Sequence, residues 1–240
     1  MAFLRLGASD AVSKEMCMII GRVGAIAVTA LALVASDARS APPVDWDGLQ
    51  RVQAKRFELV YVQPGADFRG YSKVILEPTE VAFHKDWRRN HNSTSRGLAG
   101  RVSEQDVQRA IARGIDSASG IFADAWKEGG FTVVQAPGPD VLRVRTGIMN
   151  ISVTSPDVRS AARSYSFSNE AGQASLVIEL HDSMTGALLG RVVDRKLAGD
   201  DITGWRTSVT NRSDFRDLVQ RWAKESVRGM GELKRLSPGH

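Results

Sequence analysis

The chain has 240 residues, of which 42% are hydrophobic and 25% charged, and its formal net charge is +5. This composition is typical of one globular domain of about 150–200 residues with shorter appended segments. The excess of positive charge is far smaller than that of a dedicated nucleic-acid-binding domain, so we expect no nucleic acid partner.

An uncharged apolar run, Val23–Ala35, follows Arg22 near the start of the chain. A basic residue, a short apolar run and then small residues form the pattern of a secretory signal peptide. The run is shorter than the roughly 20 apolar residues of a membrane-spanning helix. We therefore predict a signal peptide over residues 1–40, cleavage near Ser40/Ala41 and a location in the periplasm.

The only cysteine, Cys17, precedes the apolar run, so it is removed with the predicted signal peptide. A chain without thiols suits an oxidising compartment. Met16 and Met18 are alternative translation starts that would give a more compact leader. Without residues 1–40 the net charge is +4, which favours anionic envelope components, such as phospholipid head groups or wall polymers, as partners.

The rest of the chain is predicted to form an extended tether, one folded domain and a short tail. Pro42 and Pro43 cannot join a strand ladder or a helix interior, which indicates a tether over 41–54. The domain is expected over 55–236 and the tail over 237–240.

In chain order, strands are predicted first over 57–62 and 73–84, and Pro78 places the second at an edge or a bulge. A long amphipathic helix follows over 104–128, where Ser103 and Asp106 form a capping box and two glycines end the helix. Residues 84–102 and 155–172 show no periodicity.

Three or four more strands are predicted among the segments 131–135, 141–153, 174–181 and 187–196, and a second helix over 213–236. Alternation in 174–181 indicates one core face and one solvated face, and a hairpin turn at 182–186 leads to the next strand. We therefore predict an α+β fold in which an antiparallel or mixed sheet of about five strands has two amphipathic helices packed on one face.

One group of residues resembles the opening motif of a bacterial family: Tyr61–Phe68 (YVQPGADF), followed by Tyr71, Val74, Glu77, Pro78, Val81, Phe83 and Trp87. The hairpin LHDSMTGALL at 180–189 and Trp222 are similar too. The family is the one catalogued as domain of unknown function 3313 (DUF3313), and the resemblance covers residues 55–236. It implies an exported protein of uncharacterised role. Many members look like lipoproteins, but this chain has no lipid-acceptor cysteine at the end of its leader.

His181, Asp182 and Ser183 have the letters of a catalytic triad, but consecutive residues of a strand point to opposite faces, so they cannot form the relay. Glu179 and His181 share a face, and we expect them to lie on a solvated surface with Arg191 or Arg195 across the hairpin. The spacing of the histidines matches no metal site. We predict no catalytic residues, no metal and no cofactor.

A basic segment, residues 84–101, is the candidate binding surface. Its cations and its indole are Lys85, Trp87, Arg88, Arg89, Arg96 and Arg101, and Asp86 is its only acid. Cations around an exposed indole suit an anionic interface. The alternative is a solvated loop whose Trp87 folds back onto the core.

These observations favour a non-enzymatic binding or scaffolding module of the cell envelope, whose partner is an anionic envelope component or an envelope protein. The alternatives are a periplasmic hydrolase with a site assembled from separate strands, and a structural subunit of an envelope complex.

Overall fold

The computed structural model describes residues 45–94, 101–153, 166–168, 172–198, 204–206 and 208–237. The described residues belong to one unit, Pro42–His240. The predicted signal peptide and most of the predicted tail lie outside the described residues.

The described residues form eleven strands and three α-helices. The strands are β1 (Asp45–Trp46), β2 (Leu49–Val52), β3 (Leu59–Val62), β4 (Lys73–Leu76), β5 (Glu80–Phe83), β6 (Thr132–Val133), β7 (Val141–Val153), β8 (Ser166–Ser168), β9 (Gly172–Asp182), β10 (Leu188–Ala198) and β11 (Gly204–Arg206). The helices are α1 (Trp87–Thr94), α2 (Glu104–Glu128) and α3 (Ser208–Leu236).

Nine strands form one mixed sheet in the order β1-β2-β3-β10-β9-β7-β4-β6, with β5 paired to β7 beside β4. The neighbouring strands in the part of this order that runs β1-β2-β3-β10-β9-β7 are antiparallel. Strands β4 and β5 run parallel to β7, and β6 runs parallel to β4. Strands β8 and β11 form a separate two-stranded sheet. The predicted α+β class is correct, but five strands and two helices understate the fold.

Both long helices pack on one face of this sheet. Phe122 and Trp126 of α2 and Leu218 and Trp222 of α3 are at most 2% exposed, and they share one apolar core with β9 residues such as Ile178. Helix α2 begins with the predicted capping box, in which Ser103 and Asp106 bond each other's backbone N–H groups. The sequence therefore identified the principal core helix correctly.

The strand predicted over 73–84 is two strands, β4 and β5, and both pair with the long strand β7. Pro78 lies between them and has no N–H to donate to a ladder. The next residue, Thr79, leaves the ladder too, because its N–H donates to the Ser119 hydroxyl of α2 at 2.9 Å. The proline therefore divides the strand, and the part that follows it, β5, lies at an edge, because among the described strands it pairs with β7 alone and its register against β7 shifts between Val81 and Phe83.

The tether prediction is wrong for residues 45–52, which form the hairpin β1–β2 at one end of the sheet. Its two-residue turn, Asp47-Gly48, has φ values of 56° and 78°. Asp-Gly with two positive φ angles is characteristic of the type I′ hairpin turn. The same segment that begins with Pro42 and Pro43 thus contains a strong local hairpin signal after them.

One helix was not predicted, and another begins earlier than predicted. The segment 84–102, predicted to have no regular structure, contains helix α1, and α3 begins at Ser208 rather than Ser213. Among the described residues, no helix combines the length and the apolar character needed to cross a membrane.

Candidate functional site

Trp87 is the anchor of the basic segment. It begins α1 and is 7% exposed, and its ring stacks between Phe83 at 4.7 Å and His91 at 5.5 Å between ring centroids. Its Nε1–H donates to the Val153 carbonyl at 3.1 Å. The exposed indole of the interface hypothesis is therefore wrong, because the ring is buried in a small core with Val102.

The described cations of the basic segment remain at the surface. Lys85, Arg88, Arg89 and Arg101 are exposed, and Arg96 lies outside the described residues. Arg88 reaches Glu104 at 3.2 Å and Arg89 reaches Asp86 at 3.0 Å. The Arg89 side chain is 77% exposed, and pairs this exposed are weak because water and salt screen them.

Asn92 fixes the position of this basic surface. Its side-chain amide donates to the Val102 carbonyl at 2.9 Å, and its side-chain oxygen accepts from the Val102 N–H at 2.8 Å. Together with the buried Trp87, this pair of hydrogen bonds holds helix α1 against Val102, which lies in the same small core as Trp87. The cations are thus presented from a fixed position, which sequence reasoning did not predict.

A second cluster of charges lies on the sheet face opposite the helices. We call it the charged row: Asp47, Glu77, Arg143, Arg145, Glu179, His181 and Arg191. Register places Arg191 opposite Glu179, and Glu179 opposite Arg145. The row contains three arginines and three carboxylates, so its charges balance when His181 is neutral.

Glu179 and Arg191 form the buried centre of the charged row. The Arg191 guanidinium donates twice to Glu179 Oε1, at 2.9 and 3.0 Å, and the side chains are 4% and 3% exposed. The β1–β2 hairpin covers them, because Trp46 lies over the guanidinium at 4.3 Å and Asp47 accepts from it at 2.8 Å. Arg191 is the predicted partner across the hairpin, but the predicted solvated surface is wrong.

The carboxylate of Glu179 is held in its charged form. Burial raises its pKa, but hydrogen bonds from His181 and Arg191, with the charge of Arg191, outweigh burial, and the pKa lies below the ordinary value. His181 Nε2 lies 3.2 Å from Glu179 Oε2, and Nδ1 lies 3.2 Å from the Gly186 carbonyl. Both ring nitrogens of His181 therefore have partners within the fold.

His181, Asp182 and Ser183 have separate partners. Asp182 accepts from the backbone and hydroxyl of Thr185 and from the Tyr71 hydroxyl at 2.9 Å, and the Thr185 hydrogen bonds lower its pKa. The Ser183 hydroxyl bonds both backbone groups of Gly138. These contacts fix the hairpin turn at Gly186, and they do not form a proton relay.

No group of three or more His, Cys, Asp or Glu side chains that could hold a metal ion occurs among the described residues.

Comparison with known proteins assigns a family. The chain belongs to the family described as protein of unknown function (DUF3313), whose model matches residues 39–226. The resemblance seen in the sequence is therefore confirmed. No curated protein matches the chain.

Two of the solved structures that the chain matches show a distant similarity. A PelC dodecamer from Paraburkholderia phytofirmans is 12% identical, with 71% of this chain and 95% of that chain covered and a TM-score of 0.37. A protein from Xanthomonas campestris of the DUF330 family is 9% identical, with 72% of this chain and 93% of that chain covered and a TM-score of 0.38. At these identities and TM-scores, neither protein indicates what this chain binds.

Proposed function

We propose that the protein is exported to the periplasm and acts there as a non-enzymatic module that binds or scaffolds an anionic component of the cell envelope. The binding surface consists of the exposed Lys85, Arg88, Arg89 and Arg101 of the basic segment, and Arg96 belongs to the same segment but lies outside the described residues. The observation that carries the proposal is that its described cations are exposed on a segment which Trp87 and Asn92 fix to the domain. A fixed cluster of cations binds phosphate or carboxylate groups with less loss of entropy than a mobile loop does.

The charged row does not offer the same function. Its carboxylates and guanidiniums are paired with one another at 2.8–3.7 Å, so they have little charge left for a partner. An acid–base pair of a hydrolase would instead need a carboxyl group or histidine that is open to a substrate. The pairing therefore supports a binding role at the basic segment over a hydrolase at the row.

The test uses the variant Lys85→Gln/Arg88→Gln/Arg89→Gln. We expect the parent protein to sediment with phosphatidylglycerol vesicles or with isolated cell wall at roughly 0.05 M salt. This binding should weaken towards 0.5 M, because the Debye length falls from about 14 Å to about 4 Å. The triple variant should remain in the supernatant at every salt concentration. The vesicle and wall arms distinguish the two sources of anionic groups.

A matched control removes three exposed cations from α3 instead, Arg216→Gln/Arg221→Gln/Lys224→Gln. The control has the same net charge as the test variant, so it should bind like the parent if position, not total charge, matters. Equal sedimentation of the two triple variants would overturn the proposed surface. Because Trp87 is buried, we expect no blue shift of its fluorescence on binding.

Export has a separate test. Mass spectrometry of the protein from a periplasmic fraction should find a new N-terminus near Ala41. Protein that retains residues 1–40 in that fraction would contradict the signal peptide.

A further inference from the structure

An apolar cleft opens between the segment after β2 and the last turns of α3. Its walls include Phe57 and Leu233, and its most buried lining residues are Trp126, Ile178 and Met230. We call it the α3 cleft. It leads from the surface into the core between the helices and the sheet. The function proposed above does not involve it.

The mouth of the α3 cleft is unusually apolar for a surface. Four large hydrophobic side chains are exposed among the described residues, and two of them, Val52 at 39% and Leu236 at 78%, line this cleft. Exposed apolar side chains that cluster at a concave site indicate a ligand more often than scattered ones do.

The free volume of the cleft is about 70 Å³. A single water needs only 10–15 Å³, but it also needs two to four polar partners. The lining is mostly apolar, and its buried residues offer as polar side-chain groups only the unpaired Trp126 Nε1–H and the Ser226 hydroxyl, which already donates to the Ala223 carbonyl. A cavity of about 150 Å³ holds a benzene ring. A cleft of half that volume suits the end of an unbranched hydrocarbon chain better than a ring.

The charged residues at the mouth define which head group the chain can carry. Arg56 donates to Glu225 at 2.7 Å and to Glu232 at 3.0 Å, so one guanidinium faces two carboxylates. Glu225 also accepts from Arg228 at 2.8 Å, so the two guanidiniums and the two carboxylates of this group balance. Because these charges are paired and balanced, an anionic head group gains no net attraction there, and a neutral or zwitterionic one is accepted.

From these observations we infer that the α3 cleft binds the aliphatic chain of an amphiphile with a neutral or zwitterionic head group. The chain end lies against Phe57, Met230 and Trp126, and the head group stays in water beyond Val52 and Leu236. The source of the chain is a free single-chain amphiphile or the acyl chain of a phospholipid.

Methionine methyl groups report binding without added labels on the ligand. Met230 lines the cleft, whereas Met184 is 63% exposed in the β9–β10 turn, so it serves as an internal control. We expect butyl, hexyl and octyl glucosides, each below its micelle concentration, to shift the Met230 methyl signal in NMR spectra and leave Met184 unchanged. Affinity should rise about four-fold for each methylene that is buried and level off once the cleft is filled.

Gly229 allows the cleft to be closed by one substitution. It lines the cleft, and a Cβ there would meet only Phe57 Cε2, at an ordinary 3.6 Å. Gly229→Leu should fill the space and abolish the shift of Met230. Gly231→Leu is the matched control, because Gly231 lies on the same helix outside the cleft and should bind like the parent. If Gly229→Leu does not fold, Gly229→Ala should fold and bind several-fold more weakly.

A second arm uses phosphatidylcholine vesicles in place of glucosides, and it distinguishes a membrane acyl chain from a free amphiphile. Both ligands lack net charge, so their binding should be insensitive to salt, unlike binding at the basic segment. If the cleft does not bind these ligands, the proposed anionic surface at the basic segment is unaffected. If the basic segment does not bind anionic vesicles or cell wall, the inference about the cleft is unaffected. Three results would overturn the inference. They are equal shifts of the Met230 and Met184 methyl signals, an affinity that does not change with the length of the glucoside chain, and parent-like binding by Gly229→Leu.

Discussion

The two faces of the large sheet are built by the same strands but are closed in different ways. On the helix face, Leu176 and Ile178 of β9 lie under α2 and α3 in a continuous apolar core. On the opposite face, the neighbouring residue Glu179 lies in the charged row, under the short β1–β2 hairpin. Both faces are buried at this point, one by hydrophobic packing and the other by paired charges.

This difference shows that a polar side chain on an alternating strand does not by itself predict a solvated face. Glu179 and Arg191 are nearly as buried as Ile178 on the other side of the sheet. Burial of charges is tolerated here because the register places opposite charges on adjacent strands. The two faces should therefore respond differently to mutation and to pH.

The largest effect is expected from a charge placed on the helix face. Phe122→Asp should lower the free energy of unfolding by about 5 kcal/mol, because it removes a large core side chain and buries an unpaired carboxylate. Ile115→Asp should cost less, since Ile115 is only half-buried. Urea denaturation measures both against Ser117→Asp on the exposed side of α2. A parent-like stability of Phe122→Asp would contradict the orientation of α2.

The next effect is on the charged face. Glu179→Ala should lower the free energy of unfolding by about 3 kcal/mol, because it leaves the buried guanidinium of Arg191 with Asp47 alone. The exposed Glu58→Ala is the control and should change stability by less than about 0.5 kcal/mol. If the two variants unfold at the same urea concentration, the charged row is solvated and the contrast between the faces fails.

A smaller loss of stability is expected when a hydrogen bond to a charge at the edge of the apolar core is removed. The Trp222 Nε1–H of α3 donates to Asp194 of β10 at 2.7 Å, and Asp194 is 3% exposed. Trp222→Phe removes this donor and part of the ring, so it should cost about 2 kcal/mol. Recording the thermal melting of Trp222→Phe and of Asp194→Asn, alone and combined, tests the contact. Strictly additive losses in the double variant would show that the two residues do not interact.

The smallest expected effect is a difference in pH dependence. The pKa of Glu179 is lower in the folded state than its ordinary value, so ionised Glu179 stabilises the fold above about pH 4.3, and this stabilisation is lost as the pH falls through the folded pKa. Glu179→Gln cannot titrate. Between pH 6 and pH 3 its free energy of unfolding should fall by less than that of the parent. Parallel curves from urea denaturation at each pH would contradict the ionic role of Glu179.

Several elements were predictable because their signals are local. Ser103 and Asp106 form a capping box that indicates the start of α2. Gly186, with φ 74°, lies in the predicted β9–β10 turn. The Asp47-Gly48 hairpin was missed although its signal is just as local, because the preceding prolines favoured a tether. Strand β7 has the predicted bounds, Val141–Val153.

The candidate site was predictable only in part. The basic segment is visible as a run of cations in the sequence. The burial of Trp87, however, depends on Phe83 and Val153, which lie on other elements. The α3 cleft has no sequence signature at all, since its walls come from the segment after β2, from α2 and from α3. Pockets assembled from distant segments follow from packing rather than from composition.

The amino-acid sequence by itself determined the family, the α+β class, the amphipathic α2 and the concentration of cations between His84 and Arg101. Periodicity, capping and turn chemistry act within a few residues, so they can be read along the chain. Only the tertiary structure decided that Trp87 is buried, that Glu179 and Arg191 meet under a hairpin, and that Gly229 borders an open cleft. Each of these depends on side chains far apart in sequence, and their burial is settled when the whole sheet and its helices come together.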